Sequence, residues 1–276
     1  KVTFTYLDPA LVNLPNNIKN VVVVDHSAPK DSRWDILEGG LTGEGIGQDV
    51  EGVLNLIAGI KEIGVQSNRY ILDKETKRYG KGKLFENIPE PMDLSLIKDI
   101  GEKHNADAVL AIDKFDSDFI VTSARIEDKV DKEDTTKKTP QYRATGIATV
   151  KAYIRVYEVS SGKILDEIKH TDEFSWNVVG TSATNAVRQL MNKQKAVNEV
   201  SYRAGLAYGR RIAPSEVRVT RTIYNRPKKQ HIAFDRAVRK TEVADWYGAI
   251  DDFEEATKGA DNKVKGKAAY NLAVCY

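Results

Sequence analysis

The feature that most constrains the fold is a long alternating run, residues 143–176. Between Arg143 and Tyr157, the odd positions are mostly long or polar and the even positions are small or apolar. This period of two predicts a strand that buries one face. The turn Ser160–Lys163 follows, and a second extended run then completes a predicted antiparallel hairpin. Because an isolated hairpin is only marginally stable in water, other elements must cover its apolar face.

Two groups of segments predict a mixed sheet around this hairpin. Ile18–Asp25 contains four consecutive valines, which is typical of a central strand that is buried on both faces. A helix over Leu94–His104, capped by Asp93, leads through a short turn to the buried strand Ala106–Ile112. Helix, short turn and buried strand form the unit that builds mixed sheets. We therefore expect an α+β or α/β domain with a long antiparallel hairpin packed by helices.

Five further segments complete the predicted domain. Each shows either the period of a helix or the alternation of a strand. The long helix among them has Thr181 or Ser182 as its cap and is expected to cover the hairpin. The segments are an edge strand Lys1–Leu7, a helix Gln48–Ile63, a strand Asp116–Val130, a helix from residue 180 to Tyr208, and a strand Ser215–Asn225 that returns to the sheet.

The last quarter of the chain has a helical pattern. Apolar stripes predict helices near residues 233–238, 246–256 and 266–276. Small residues within the stripes allow the helices to approach closely, as in a helical repeat. In the third helix, one face is predicted to form an exposed apolar strip. Its members are Ala269, Leu272, Ala273 and Tyr276.

Composition excludes several classes of function. The 42 basic and 40 acidic residues give a net charge of +2, so the basic footprint of a nucleic-acid-binding protein is missing. No apolar run reaches the ~20 residues that a membrane-spanning helix needs. Cys275 is the only cysteine, so no disulfide can form within the chain. The first residue is Lys1, and we expect that a signal peptide, an anchor or a tag preceded it.

Asp25 and His26 are the candidate ligand-binding residues. They follow a buried strand, and open α/β sheets place ligands at the carboxyl ends of their strands. The plainer interpretation is a strand end followed by a turn. The glycines of Gly39–Gly47 precede a helix, but Asp49 and Glu51 in its first turn would repel a phosphate, so we interpret them as a loop and cap. Histidine spacing fits no metal site, and no catalytic motif occurs, so we expect no catalytic residue, metal or cofactor.

Residues Gln230–Thr257 resemble a tetratricopeptide repeat. Ala237 takes the small position of the first helix, and Ala249, Phe253 and Ala256 take those of the second. Residues 271–276 are similar to the first helix of a following repeat, whereas the usual tryptophan and closing proline are absent. The resemblance implies a module for protein contact. Its candidate interaction residues are Trp246, Phe253, Tyr270 and Tyr276.

A second resemblance covers the first 225 residues. The segments IKNVVVVD, SLIKDIGEKHNADAVLAI and VKAYIRVYEVSSGKIL resemble the α/β domain of Gram-negative envelope proteins, such as the amino-terminal domain of the translocation protein TolB and the curli-secretion lipoprotein. When the segment AGLAYGRRIAPSEVRVTRTIY is included, the order of segments is most similar to that of an uncharacterised family of outer-envelope lipoproteins. That family is classed as a domain of unknown function. The resemblance implies a cleaved signal peptide and a lipidated cysteine upstream of Lys1. Membrane association would then rest on that lipid anchor alone, in the periplasm or at the outer membrane.

These observations lead to one expected organisation and three candidate functions. Residues 1–226 are expected to form the mixed domain, and residues 227–276 the all-α helical hairpin. We expect a non-enzymatic envelope lipoprotein that binds or scaffolds other envelope proteins through the repeat. The alternative is an enzyme acting on an envelope glycan or peptide, or a small-ligand-binding protein, that uses the carboxyl end of strand 18–25.

Overall fold

The computed structural model describes residues 1–27, 48–80, 88–130, 138–227, 230–259 and 261–276. The glycine-rich stretch Gly39–Gly47 lies outside these residues. The chain forms two compact units, which we call the sheet unit (Pro9–Ser215) and the helical unit (Lys1–Asp8 with Glu216–Tyr276). The expected boundary at residue 226 differs from this division, because the first eight residues and residues 216–226 group with the carboxyl-terminal helices.

The described residues contain both strands and helices, as the predicted mixed fold class requires. The strands are β1 (Val2–Asp8), β2 (Asn20–Asp25), β3 (Ile71–Lys74), β4 (Ala108–Val130), β5 (Lys138–Glu158), β6 (Ile164–Gly180) and β7 (Ser215–Arg221). The helices are α1 (Gln48–Ser67), α2 (Leu94–His104), α3 (Ala183–Gln189), α4 (Lys193–Ile212), α5 (Ile232–Glu242), α6 (Trp246–Thr257) and α7 (Asn262–Cys275). No helix in these ranges is long and apolar enough to cross a membrane.

The sheet unit is built on a five-stranded sheet with the order β3-β2-β4-β5-β6. Strand β2 runs parallel to both of its neighbours, whereas β4, β5 and β6 are antiparallel. The four valines of β2 are 0–1% exposed, which confirms the predicted central strand. The predicted hairpin is β5 and β6, and Gly162 in its turn has a φ of 71°.

Helices cover both faces of the sheet where its five strands lie side by side. Helices α1 and α4 form the larger core with one face, which confirms the expected cover of the hairpin. Helix α2 packs on the other face through Ile97 and Ile100. The prediction that the odd positions of β5 face solvent is therefore wrong at this end, where Arg155 and Tyr157 are 2% and 1% exposed.

Strand β4 is a single strand of 23 residues and not two. The sequence analysis gave this region as two segments, the buried strand Ala106–Ile112 and the partly alternating strand Asp116–Val130. In the structure, the register against β5 shifts between Ile112 and Lys114, so Asp113 occupies a β-bulge. A bulge adds one residue without ending the strand and re-aims its side chain.

The predicted long helix after the hairpin consists of two helices, α3 and α4. Ser182 caps the first, because its hydroxyl accepts a hydrogen bond from the N–H of Asn185. The chain becomes extended at Leu190, and Asn192 then caps α4 by accepting from the N–H of Lys195. Extended backbone at a cap ends one helix and starts the next, and the apolar stripe alone does not reveal this break.

Helices α1 and α4 meet at two glycines. A Cβ atom on Gly205 would lie 2.0 Å from the carbonyl oxygen of Leu56, and one on Gly59 would lie 2.2 Å from that of Tyr202. No side chain fits at these distances, so the two backbones can approach this closely only where both residues are glycine.

The helical unit combines a two-stranded sheet with three helices. Strand β7 pairs with β1 and not with the larger sheet, so the predicted return of Ser215–Asn225 to that sheet is wrong. The rings of Phe234 and Phe253 meet edge to face at 5.4 Å inside the helical core. Helix α7 begins four residues earlier than expected, at Asn262 behind the cap Asp261.

The predicted apolar strip of α7 is mostly exposed. Ala269, Ala273 and Tyr276 face solvent, whereas Leu272 packs against the core with Val264 and Ala268. The prediction is therefore confirmed at three of its four residues, and Leu272 is the exception.

Candidate functional site

His26 lies at the carboxyl end of β2 and is only 8% exposed. Its Nδ1 atom lies 2.8 Å from Oδ1 of Asp113, the residue at the bulge of β4. The bulge explains this contact, because β2 pairs with β4 only as far as Ile112 and the next residue turns towards the end of β2. When Nδ1–H donates to a carboxylate, Nε2 remains as the ring's other polar atom and is a hydrogen-bond acceptor in the neutral ring.

Behind His26, Asp113 is held by two side chains of β5. Nη1 of Arg155 donates to its Oδ2 atom at 2.8 Å, and the hydroxyl of Tyr157 lies 3.3 Å from the same atom. The carboxylate of Asp113 is 0% exposed. Burial, followed by the charge of Asp113, raises the pKa of Tyr157 to about 12, so this phenol stays protonated at neutral pH.

The network reaches solvent at Glu167 of β6. Its Oε1 atom accepts from Nε of Arg155 at 2.8 Å and from the hydroxyl of Tyr153 at 2.6 Å. These hydrogen bonds, that of Tyr153 first, lower the pKa of Glu167. Burial alone would lower the pKa of Arg155, but its hydrogen bonds to Glu167 and Asp113 raise it above the ordinary value. One guanidinium therefore bridges two carboxylates.

Asp25, the second predicted residue, belongs to a separate set of contacts. Its Oδ1 atom accepts from the N–H and the hydroxyl of Ser27, and its Oδ2 atom lies 2.8 Å from Nε of Arg78. The structure therefore places Asp25 and His26 side by side but does not join their side chains. The hydroxyl of Ser27 donates to Asp25, so it does not form a serine–histidine pair with His26.

Sequence reasoning missed Asp113, Arg155 and Glu167. Arg155 and Glu167 lie on the two hairpin strands, and Asp113 lies between the predicted segments Ala106–Ile112 and Asp116–Val130. No local pattern marks these residues, because their contacts depend on how β4 pairs with β5. Within the described ranges, no group of three or more histidine, cysteine or carboxylate side chains could hold a metal ion.

A second polar network joins the end of α2 to the end of β3. Nδ1 of His104 lies 2.6 Å from Oδ2 of Asp73, and its Nε2 lies 3.2 Å from Oε2 of Glu75. Nζ of Lys103 lies 2.5 Å from that Glu75 oxygen. The hydrogen bond to Asp73 is the main cause that raises the pKa of His104. Burial alone would raise the pKa of Glu75, but hydrogen bonds from Lys103 and others hold it well below the ordinary range.

These shifts predict a pH window for stability. The folded protein favours the charged ring of His104, so this contribution is complete below the ordinary pKa of 6.5 and is lost as the pH rises through the raised pKa. Glu75 has a lowered pKa, so its contribution is complete above 4.5 and is lost as the pH falls. We therefore expect His104→Gln to reduce the denaturant midpoint more at about pH 6 than at about pH 9.

His170 provides the control for this prediction. Its pKa is lowered, first by burial, so protonation of its ring opposes folding. His170→Gln should therefore gain stability relative to the wild type as the pH falls below 6.5. If the effect of His104→Gln were the same at both pH values, the network would not hold a charged His104.

The four predicted interaction residues of the helical unit differ in exposure. Phe253 is 0% exposed in the core, so the expectation that its ring contacts a partner does not fit the structure. Trp246 is half-buried and meets Phe4 edge to face at 5.8 Å. Tyr270 and Tyr276 are 47% and 81% exposed. The sequence analysis missed Tyr247, which is the most exposed of the unit's aromatic residues at 87%.

Two clefts are formed by described residues of the helical unit. The larger has a volume of about 730 Å³ and a lining of mixed charge, which includes Arg226, Arg239, Asp235 and Glu242. The smaller has a volume of about 430 Å³. Its lining residues are Tyr224, Asn262, Lys263, Gly266, Lys267 and Tyr270.

Comparison with known proteins places most of the chain in one family. Residues 18–224 match the model of a domain of unknown function, DUF8603. The chain belongs to this family. The DUF8603 match covers the whole His26–Asp113–Arg155 network, whereas α5, α6 and α7 lie outside it. No curated protein matches the sequence.

Solved structures resemble the DUF8603 chain only distantly. The PelC dodecamer from Paraburkholderia phytofirmans is 10% identical with a TM-score of 0.24, and the match covers 74% of this chain and 96% of that one. A neuraminyllactose-binding hemagglutinin homolog from Helicobacter pylori is 15% identical with a TM-score of 0.24, with 71% and 81% covered. At these TM-scores the likeness supports no argument about this chain.

Proposed function

We propose that this protein is a non-enzymatic component of the cell envelope that binds other proteins through its helical unit. The observation that carries this proposal is the exposure of tyrosines on α6 and α7. Tyr247, Tyr270 and Tyr276 are 87%, 47% and 81% exposed. Tyrosine is enriched at protein interfaces, because its large ring contributes contact area with few rotatable bonds.

The resemblance of residues 230–257 to a tetratricopeptide repeat supports the same proposal. Repeat helices stack so that each buries one face and leaves the other for a partner. Here Phe253 fills the core, whereas Tyr247 of the same helix points outwards. The division between packing and contact residues within one helix is the arrangement that such a module needs.

The envelope location and the lipid anchor belong to this proposal as well. They rest on the resemblance of the sheet unit's segments to envelope proteins and on the anchor expected upstream of Lys1. A tethered protein with exposed aromatic residues would meet partners at the membrane surface, where tethering raises the effective concentration of each.

A pull-down from envelope extracts tests the proposal. We expect the wild-type chain to enrich a reproducible partner and the double variant Tyr247→Ala/Tyr276→Ala to lose most of it. The matched control is Leu11→Ala/Val65→Ala, which removes side chains that are 81% and 76% exposed on the sheet unit. Substitutions at such exposed positions change stability little, so a loss of partner would report on binding.

Two results would argue against this function. One is an extract in which nothing is enriched over the double tyrosine variant. The other is equal loss of the partner in the tyrosine variant and in the sheet-unit control, which would indicate non-specific adhesion to apolar surface.

A further inference from the structure

Two tyrosines whose rings contact each other line the smaller cleft of the helical unit. The rings of Tyr224 and Tyr270 meet edge to face at 5.4 Å and are 46% and 47% exposed. Tyr224 precedes the helices, and Tyr270 lies in the middle of α7. Two half-exposed rings at this distance offer an apolar surface that a flat or branched side chain can cover.

The position of Tyr224 is fixed by a buried side chain. Asn271 is 0% exposed, its Oδ1 atom accepts from the N–H of Tyr224 at 2.9 Å, and its Nδ2 atom donates to the carbonyl of Tyr224 at 2.9 Å. The backbone of Tyr224 is therefore held against α7 through both its N–H and its carbonyl group. A cleft that is fixed in advance loses less conformational entropy when a ligand binds.

The charged side chains that line this cleft, Lys263 and Lys267, are both basic. Helix α7 carries Lys263, Lys265 and Lys267 and no acidic residue. Lys263 and Lys267 line the cleft. Nζ of Lys267 lies 5.1 Å from the centre of the Tyr224 ring and donates to the carbonyl of Arg226 at 3.1 Å. This ammonium is held at the cleft wall, while the side chain of Lys263 is exposed.

Gly266 leaves room between the two lysines. It lies one position before Lys267, and a Cβ atom placed on it would meet nothing within 4 Å. Glycine destabilises a helix relative to alanine, and no packing contact among the described residues requires it here. The open space at Gly266, beside the two lysines and the two tyrosine rings, accommodates one side chain of a ligand.

We propose that this cleft binds an acidic segment of a partner protein, with an apolar side chain on the tyrosine rings and flanking carboxylates on Lys263 and Lys267. The choice of a protein partner rests on the proposed function. The acidic character follows from charge complementarity, which selects partners and speeds their encounter. A nucleic acid would also bring negative charge and rings, and it is an outcome of the test below.

Fluorescence polarisation with two probes tests the proposal on the full chain. The probes are a short dye-labelled peptide with a central phenylalanine between glutamates, and its counterpart with lysines. We expect the acidic peptide to bind and the lysine peptide not to bind. Lys263→Glu should weaken binding about tenfold, because it replaces an attraction at the rim by repulsion. Gly266→Leu should weaken binding of the acidic peptide to a similar extent, because the leucine side chain fills the open space at this position without changing the charge.

Lys265→Glu is the matched control, since it makes the same charge change on the same helix outside the cleft. Equal weakening by Lys263→Glu and Lys265→Glu would overturn the proposal, because the peptide would then be attracted by the overall charge of the helix and not by the cleft. Equal binding of a single-stranded oligonucleotide and the acidic peptide would overturn it too. A partner from the pull-down that Lys263→Glu and Gly266→Leu still retain would refute this cleft while leaving the proposed function intact.

Discussion

Replacing Gly205 by alanine is expected to lower the free energy of unfolding of the sheet unit by about 3 kcal/mol. The new Cβ atom would lie 2.0 Å from the carbonyl oxygen of Leu56 and 3.0 Å from the Cα atom of Gly59. Both are backbone atoms of α1, so no rotation of a side chain relieves the clash. Overpacking typically costs about 1–3 kcal/mol. Alanine favours a helix over glycine by about 1 kcal/mol, and this gain does not offset the cost of moving the two helices apart.

Two further glycines make this prediction specific. At Gly64 of α1, the three atoms nearest to an added Cβ atom all belong to the side chain of Leu72, which can move, so Gly64→Ala should cost less than Gly205→Ala. At Gly266 it would meet nothing, so Gly266→Ala should stabilise α7 by about 0.5–1 kcal/mol. Urea unfolding measures the effects of Gly205→Ala and Gly64→Ala. Hydrogen exchange in α7 measures the effect of Gly266→Ala. Unfolding of Gly205→Ala and Gly64→Ala at the same urea concentration would show that α1 and α4 are not locked at this crossing.

The contrast between Gly205 and the rest of α4 shows what the sequence could predict. The apolar stripe through Val197, Ser201 and Ala204 predicts the buried face, because burial follows the helical period and each of these residues carries the pattern. The closeness of two helices depends on a pair of glycines that are 146 positions apart in the sequence numbering, Gly59 and Gly205. No local pattern relates them. Helix faces were therefore predictable, whereas the distance between helices was not.

The residues of the candidate site also differ in whether the sequence could predict them. His26 could be predicted, because the run of valines in β2 identifies a central strand and hence its carboxyl end. Asp113 could not, because its position depends on a bulge that forms only when β4 pairs with β5. The pairing partner of β7 was mispredicted for a related reason, since alternation identifies a strand but not its partner.

Arg155→Met is expected to lower the free energy of unfolding by about 3–5 kcal/mol, the cost typical of breaking a buried ion pair by removing one partner. The side chain of Asp113 is 0% exposed, and after the change its charge would keep only His26 and the Tyr157 hydroxyl as side-chain partners among the described residues. Urea unfolding of the sheet unit measures the loss.

The double variant Asp113→Leu/Arg155→Met decides whether this loss belongs to the pair. Removing both charges leaves no buried ion uncompensated, so the double variant should be more stable than Arg155→Met alone, as replacing a whole buried pair by apolar groups is often neutral or better. His26→Gln should cost less than either charge change, because the Arg155–Asp113 pair remains. Additive losses in the double variant would instead mean that each side chain acts through separate packing. If His26→Gln were as damaging as Arg155→Met, His26 would stabilise the buried carboxylate of Asp113 as strongly as Arg155 does.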